Sequence, residues 1–228
     1  MDSSKTFSDK TKLHLKVCGM GTAENILEVA SLEPDYLGFI FFEGSPRNFT
    51  GKIPPLSEKI KKTGVFVNAS AKFILERIRD FELQAIQLHG EESAEFCENL
   101  KSEMEIGREI ELIKVFSVKE TFDFEMLRPY EGIADIFLFD TKGKNKGGNG
   151  LVFNWELLKN YSSPTPFFLS GGIGLGEIGA LKEFLEYLQI NGKRNLLYGI
   201  DVNSKFEIAP GLKSKKPLKK FKEEIFPQ

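Results

Sequence analysis

The sequence predicts an α/β fold of one kind, a single (β/α)₈ barrel of eight parallel strands inside a ring of helices. Three observations carry this expectation. Short apolar runs alternate eight times with helically patterned segments within 228 residues. The runs are rich in Val, Ile, Leu and Phe, as strands buried on both faces are. An open, doubly wound sheet is the alternative, but eight parallel strands there would usually need more chain.

Taken in order, the run Leu13-His14-Leu15-Lys16-Val17 makes strand 1 (13–18), which ends on Cys18 before the turn Gly19-Met20-Gly21; a helix follows at 23–32. Strand 2 (36–42) leads to Ser45-Pro46-Arg47 and a helix at 55–62. Strand 3 (63–68) is followed by a helix over 70–81, where Phe73, Ile74, Ile78 and Phe81 share one face and Ser70 is a plausible N-cap. Strand 4 (85–89) ends in Gln87-Leu88-His89-Gly90, and Ser93 caps the amphipathic segment 92–104. Strand 5 (111–117) precedes a helix at 121–130. Strand 6 (135–140) ends in Phe139-Asp140-Thr141. The loop Thr141 to Asn154 carries Gly143, Gly147, Gly148 and Gly150 and reads as a candidate lid before a helix at 154–160. Strand 7 (166–170) runs into Ser170-Gly171-Gly172-Ile173-Gly174 and a helix at 176–190. Strand 8 (196–202) ends in Gly199-Ile200-Asp201-Val202-Asn203-Ser204, and a last helix spans 214–225.

Residues 13–228 are therefore expected to form one barrel, preceded by a polar tail at 1–12. Apolar content of 41% and charged content of 28% permit a sizeable core. A net charge of −2 and a pI near 5.9 argue against nucleic acid as the main partner. No apolar run approaches the roughly 20 residues of a membrane span, and the tail lacks the apolar segment of an export signal. The expectation is a cytoplasmic protein whose two cysteines, Cys18 and Cys97, stay reduced and unpaired.

In such barrels chemistry lies at the loops after the strands. Cys18 on a strand tip is either a small buried hydrophobe or a reactive thiol. Asp140 is either a turn residue or a general acid at the barrel mouth. Arg47 is either a solvated side chain or a planar grip on a substrate carboxylate, with no acid nearer in sequence than Glu43. Gly171 and Gly172 either make a simple turn or open backbone N–H groups to a phosphate at the start of a helix, with the polar turn at Asn203 and Ser204 opposite. His89 is the one histidine at the mouth, a candidate substrate contact; His14 lies early in strand 1. Without Cys/His pairs at ligand spacing a histidine metal site is not expected. Lys16 and Lys114 lie on strands, which leaves a Schiff-base mechanism arithmetically open.

Eight tip motifs occur together in order: Lys16-Val17-Cys18-Gly19-Met20, Gly38-Phe39-Ile40-Phe41 with Ser45-Pro46-Arg47, Gly64-Val65-Phe66-Val67-Asn68, Ile86-Gln87-Leu88-His89-Gly90, Phe139-Asp140-Thr141, Gly147-Gly148-Asn149-Gly150, Ser170-Gly171-Gly172 and Gly199-Ile200-Asp201-Val202-Asn203-Ser204. In these the chain resembles the phosphoribosylanthranilate isomerases of tryptophan biosynthesis from about residue 13 onward. The resemblance implies an Amadori rearrangement of N-(5-phosphoribosyl)anthranilate, an aldose–ketose isomerisation with no cofactor and no metal. It implies Cys18 as general base, Asp140 as general acid and Arg47 as the ligand of the anthranilate carboxylate. It also implies phosphate loops at Gly171-Gly172 and Asn203-Ser204, with Asp201 near the reacting ribose. Asn149 stands where the family has threonine, and Lys205 where it has glycine, which would bring a positive charge near the phosphate. A general-base thiol also implies a pKa below the ordinary value, with Lys16 or the substrate's iminium as the cause. The alternatives are a barrel that also takes the related histidine-pathway ribonucleotide, whose members use two aspartates, and a catalytically silent phosphosugar-binding barrel. The expected partner is a small phosphosugar, the expected assembly a monomer or homodimer.

Overall fold

The computed structural model describes residues 12–104, 109–141 and 155–226. The eight strands pair in sequence order and close on themselves: β1 (His14–Val17), β2 (Tyr36–Ile40), β3 (Lys61–Phe66), β4 (Ala85–Leu88), β5 (Glu111–Val118), β6 (Ile136–Thr141), β7 (Phe167–Leu169) and β8 (Leu197–Val202). All pairs are parallel, and the closing pair runs from His14 opposite Gly199 to Val17 opposite Val202. Strand content, order and closure match the expected barrel.

The outer ring is less regular than the periodicity predicts. Among the described residues the α-helices are α1 (Ala23–Ala30), α2 (Ala71–Phe81), α3 (Ala94–Met104), α4 (Ile178–Ile190) and α5 (Lys215–Ile225). Ser70 and Ser93 cap α2 and α3 as expected, accepting from the N–H groups of Phe73 and Phe96 at 3.3 and 3.1 Å. The helix expected at 55–62 is absent: the segment is irregular, and β3 already starts at Lys61. Pro54 and Pro55 explain this. Neither offers an N–H, each disfavours helical backbone in the residue before it, and too few residues remain before β3. The segment expected as a helix at 121–130 is a 3₁₀ helix, Phe124–Tyr130, with Pro129 inside it. That at 154–160 is also 3₁₀, Trp155–Asn160. Two short antiparallel strands, β9 (Glu207–Ala209) and β10 (Leu212–Lys213), follow β8 and were not expected.

Phenylalanine fills the layer between strands and helices. Phe116 meets Phe137 edge-on at 5.2 Å, and Phe139 meets Tyr161 and Phe167 at 5.5 and 5.4 Å. Each such ring buries surface worth about 2–3 kcal/mol, with roughly 1 kcal/mol more from edge-to-face geometry. Inside the barrel, Tyr36, Ile113, Val115, Ile136, Leu138 and Phe168 form the apolar filling. Above them the interior turns polar, with buried Lys16, Gln87, Ser170 and Asp201 towards the strand C-termini, while buried Lys114 lies on the outer face of β5 beside Glu92 and Phe116. No helix among the described residues is long and apolar enough to cross a membrane. Residues 1–11 of the polar tail and the candidate lid at 142–154, with Asn149, lie outside the described residues.

Candidate active site

Cys18 follows β1 directly, and its N–H donates to the Val202 carbonyl at 2.9 Å, so the thiol is held between β1 and β8. Gly38 on β2 makes the room: a Cβ there would lie 2.8 Å from Sγ and 3.1 Å from the Cys18 Cα. The register that sets Lys16 opposite Asp201 forms an ion pair beside the thiol, Nζ to Oδ1 at 2.8 Å, with side-chain exposures of 0% and 6%. The other Asp201 oxygen accepts from Ser170 Oγ at 3.0 Å.

These charges decide the state of the thiol. Burial pushes the Cys18 pKa up and is the largest influence; Lys16 and Lys213 pull it down, and Asp201 pushes it up again, leaving it above the ordinary thiol value. The expected lowering is therefore corrected. Lys16 supplies a cation beside the thiol, but full desolvation and the Asp201 carboxylate outweigh it. Burial opposes the charge on Lys16 too, yet Asp201 and Cys18 overcome it and raise its pKa.

Asp140 ends β6 on the facing side of the barrel mouth, one carboxylate oxygen 3.4 Å from His89 Nε2. His89 is held in turn through Nδ1, 3.3 Å from Gln87 Nε2. Gln87 Oε1 is buried without a hydrogen-bond partner among the described residues. Lys114 fixes the loop below: its Nζ donates to the Gly90 carbonyl at 2.8 Å and to Glu92 at 3.0 Å. Both strand lysines are thus engaged by carboxylates.

One cavity of about 160 Å³ joins these groups: Cys18, His89, Asp140 and Asp201 line it, together with Gly171, Gly172, Asn203 and Ser204. Gly171 and Gly172 have φ of 90° and 68°, a backbone that side chains rarely adopt, which turns the chain after β7 towards α4. Lys205 also lines the cavity and lies in a short 3₁₀ turn, Ser204–Phe206, with no left-handed backbone to strain it. Gln87 and Ser170 line it too; neither was singled out in the sequence, and only their place on inward strand positions could have flagged them.

Arg47 stands apart from the residues that line this cavity. Its Nε donates to Glu207 Oε1 and Oε2 at 2.8 and 3.0 Å, and Nη2 donates to Oε2 at 2.6 Å. The acid missing near Arg47 in sequence arrives on β9, from 160 positions away. Burial raises the Glu207 pKa, but Arg47, Lys213 and the Gly211 N–H outweigh it and hold it at about 2.

The family model for N-(5'-phosphoribosyl)anthranilate (PRA) isomerase matches residues 15–224. The N-(5'-phosphoribosyl)anthranilate isomerase of Parabacteroides distasonis is 42% identical over 218 residues, 92% of either chain. A phosphoribosyl anthranilate isomerase crystallised with reduced 1-(o-carboxyphenylamino)-1-deoxyribulose 5-phosphate superposes with a TM-score of 0.71 at 25% identity, over 93% of this chain and 98% of that one. Monomers generated from the dimeric enzyme of Thermotoga maritima give 0.71 at 25% identity, over 95% and 100%.

Proposed function

From the premise that this chain belongs to the N-(5'-phosphoribosyl)anthranilate isomerase family, isomerases of tryptophan biosynthesis, we propose that Cys18 is its general base and Asp140 its general acid. The observation that carries this reading is the shared cavity, lined by a thiol just after β1, a carboxyl group on β6 and the turns at Gly171-Gly172 and Asn203-Ser204.

The substrate is N-(5-phosphoribosyl)anthranilate, the product 1-(2-carboxyphenylamino)-1-deoxyribulose 5-phosphate. Asp140 gives a proton to the furanose ring oxygen; the C1–O bond breaks and the nitrogen lone pair forms an iminium. Cys18 as thiolate removes the C2 proton, and the C2–H electron pair collapses towards the iminium to give an enolamine. Tautomerisation then yields the ketone. The iminium is the electron sink, so the route calls on no cofactor or metal. The resting thiol must first lose its proton against the burial that holds it. Lys16 and Lys213 favour the thiolate, and the iminium adds positive charge when it forms. His89, 3.4 Å from Asp140, orients the acid.

The phosphate binds at Gly171-Gly172 and Asn203-Ser204, where backbone N–H groups and the positive end of the following helix favour an anion, with Lys205 adding charge. Arg47 takes the anthranilate carboxylate. Its Nη1 has no partner among the described residues, so one edge of the guanidinium remains after Glu207 occupies the other.

The test is the loss of substrate fluorescence with time. Cys18→Ser and Asp140→Asn should each lower kcat by roughly 10²–10⁴, the range expected for a general acid or base. Full activity in either variant overturns its assignment. No turnover by the unaltered chain would return it to the silent phosphosugar-binding barrel.

A further inference from the structure

Glu207 takes no part in the chemical steps and Lys213 acts in them only through its charge near Cys18, yet both side chains are buried and charged. Glu207 accepts from Arg47 Nε and Nη2, from Lys213 Nζ at 2.6 Å and from the Gly211 N–H at 3.0 Å. The Lys213 side chain is 0% exposed and Glu207 only 6%. Lys213 Nζ also donates to Asn203 Oδ1 at 2.6 Å. Its backbone is clamped to α1, accepting from Asn25 Nδ2 at 2.8 Å and donating to Asn25 Oδ1 at 2.7 Å. The β9–β10 hairpin is thereby a bracket, pinned at its base and holding a carboxylate against Arg47.

The bracket closes on Gly19, the residue after Cys18. A Cβ on Gly19 would stand 2.8 Å from Asn203 Oδ1 and 2.9 Å from Arg47 Cδ. Arg47, Glu207, Lys213 and Asn203 therefore form one charged chain across the base of the mouth, running from the proposed carboxylate ligand to the proposed phosphate turn. An arginine has many rotamers, and a free guanidinium would lose them on binding; one already fixed by two parallel hydrogen bonds does not.

We propose that Glu207 is the positioning residue that presets Arg47 for a substrate bearing a carboxylate, and so sets selectivity for the aryl-carboxylate end of the substrate, with Lys213 holding Glu207 in place. This rests on the reading of Arg47 as the carboxylate ligand. A residue that merely supported the fold would affect all substrates alike. A positioning residue affects the carboxylate-bearing one.

The experiment compares N-(5-phosphoribosyl)anthranilate with N-(5-phosphoribosyl)aniline, which lacks the carboxylate, in steady-state kinetics. Glu207→Gln should raise KM for the first roughly 10–100-fold, the worth of one well-placed charge-assisted hydrogen bond, with a smaller change in kcat. It should leave kcat/KM for the aniline compound unchanged and so shrink the ratio between the two. Glu207→Asp should restore part of the ratio. Because Glu207→Gln leaves Lys213 buried without its counter-charge, the double variant Glu207→Gln/Lys213→Met removes both charges together and should show the same loss of ratio. Equal losses on both substrates, or an unchanged KM, overturn the proposal. Arg47→Ala separates the two ideas. If it abolishes discrimination while Glu207→Gln does not, only the positioning role fails. If it leaves discrimination intact, the reading of Arg47 fails and the proposal with it.

Discussion

Cys18 holds its proton because it is wholly buried beside a carboxylate, and the two lysines that oppose this do not win. A base must be deprotonated to act, so a thiol raised above its ordinary value places the ascending limb of kcat/KM on the alkaline side of about pH 8.5. Lys16→Met removes one of the groups that pulls the thiol down, and should move that limb further alkaline. A limb below pH about 7 in the unaltered enzyme would show that Cys18 is not the titrating base. Gly38→Ala tests the same atom by geometry. Its Cβ would fall 2.8 Å from Sγ, so the thiol must move, and a displacement near 1 Å costs about 10²-fold in kcat. The chain should still fold, at a cost of about 1–3 kcal/mol for the crowding. An active Gly38→Ala enzyme would mean that the thiol's position is not critical. At this scale the strand tips were legible, because a Cys, a Gly-Gly pair or an Asp closing an apolar run is visible in one dimension. The partner of Arg47 was not, since Glu207 reaches it only through the fold. Nor was the state of the thiol, which depends on how completely Cys18 is buried.

The hairpin β9–β10 and the turn after β7 divide the work at the mouth between one element that holds charge and one that offers bare backbone. Gly172 lies in the second, with φ of 68° and no atom of the described residues within 4 Å of where its Cβ would be. Space is not the constraint there; backbone conformation is. Gly172→Ala should destabilise the chain by about 1–2 kcal/mol through the left-handed backbone alone. It should also weaken competitive inhibition by inorganic phosphate, measured as Ki, without changing the pH limb of the thiol. Unchanged phosphate inhibition alongside the stability loss would place the phosphate elsewhere. Elements with strong periodicity and a serine cap, α2 and α3, were readable to within a few residues. The segment 55–62 has helical apolar spacing, but Pro54-Pro55 deny it a helix. The hairpin escaped notice because Glu207-Ile208-Ala209 and Leu212-Lys213 are too short to show any period.

Across the whole molecule the barrel separates the proposed chemistry from a stabilising network by rim. The mouth carries Cys18, Asp140 and the charged bracket. The opposite rim carries a network that touches none of them: Tyr36 Oη lies 2.9 Å from Glu111, 2.7 Å from Tyr198 Oη and 3.2 Å from Lys61, which also pairs with Glu111. Beside it Asp35 accepts from Lys12 at 2.7 Å and from the Leu15 N–H at 2.9 Å, tying the start of β1 to the residue before β2. Burial raises the Asp35 pKa, but His14, Lys12 and the Leu15 N–H overcome it and hold the carboxyl well below the usual range. Glu207 at the mouth is held low in the same sense, at about 2. A carboxylate depressed on folding adds stability above its unfolded pKa, near 4, and loses it as pH falls towards its folded value. Asp35→Asn and Glu207→Gln should therefore both be less stable than the unaltered chain at pH 7 in denaturant titrations, Asp35→Asn by about 1–2 kcal/mol. Both differences should shrink as pH falls below about 4, where the unaltered chain loses the same contribution. Function should tell the two rims apart. Asp35→Asn should leave KM and kcat untouched at a temperature where it is folded, whereas Glu207→Gln raises KM. A change in KM in Asp35→Asn would show that the far rim is coupled to the mouth, against the division of the barrel into a working end and a stabilising end.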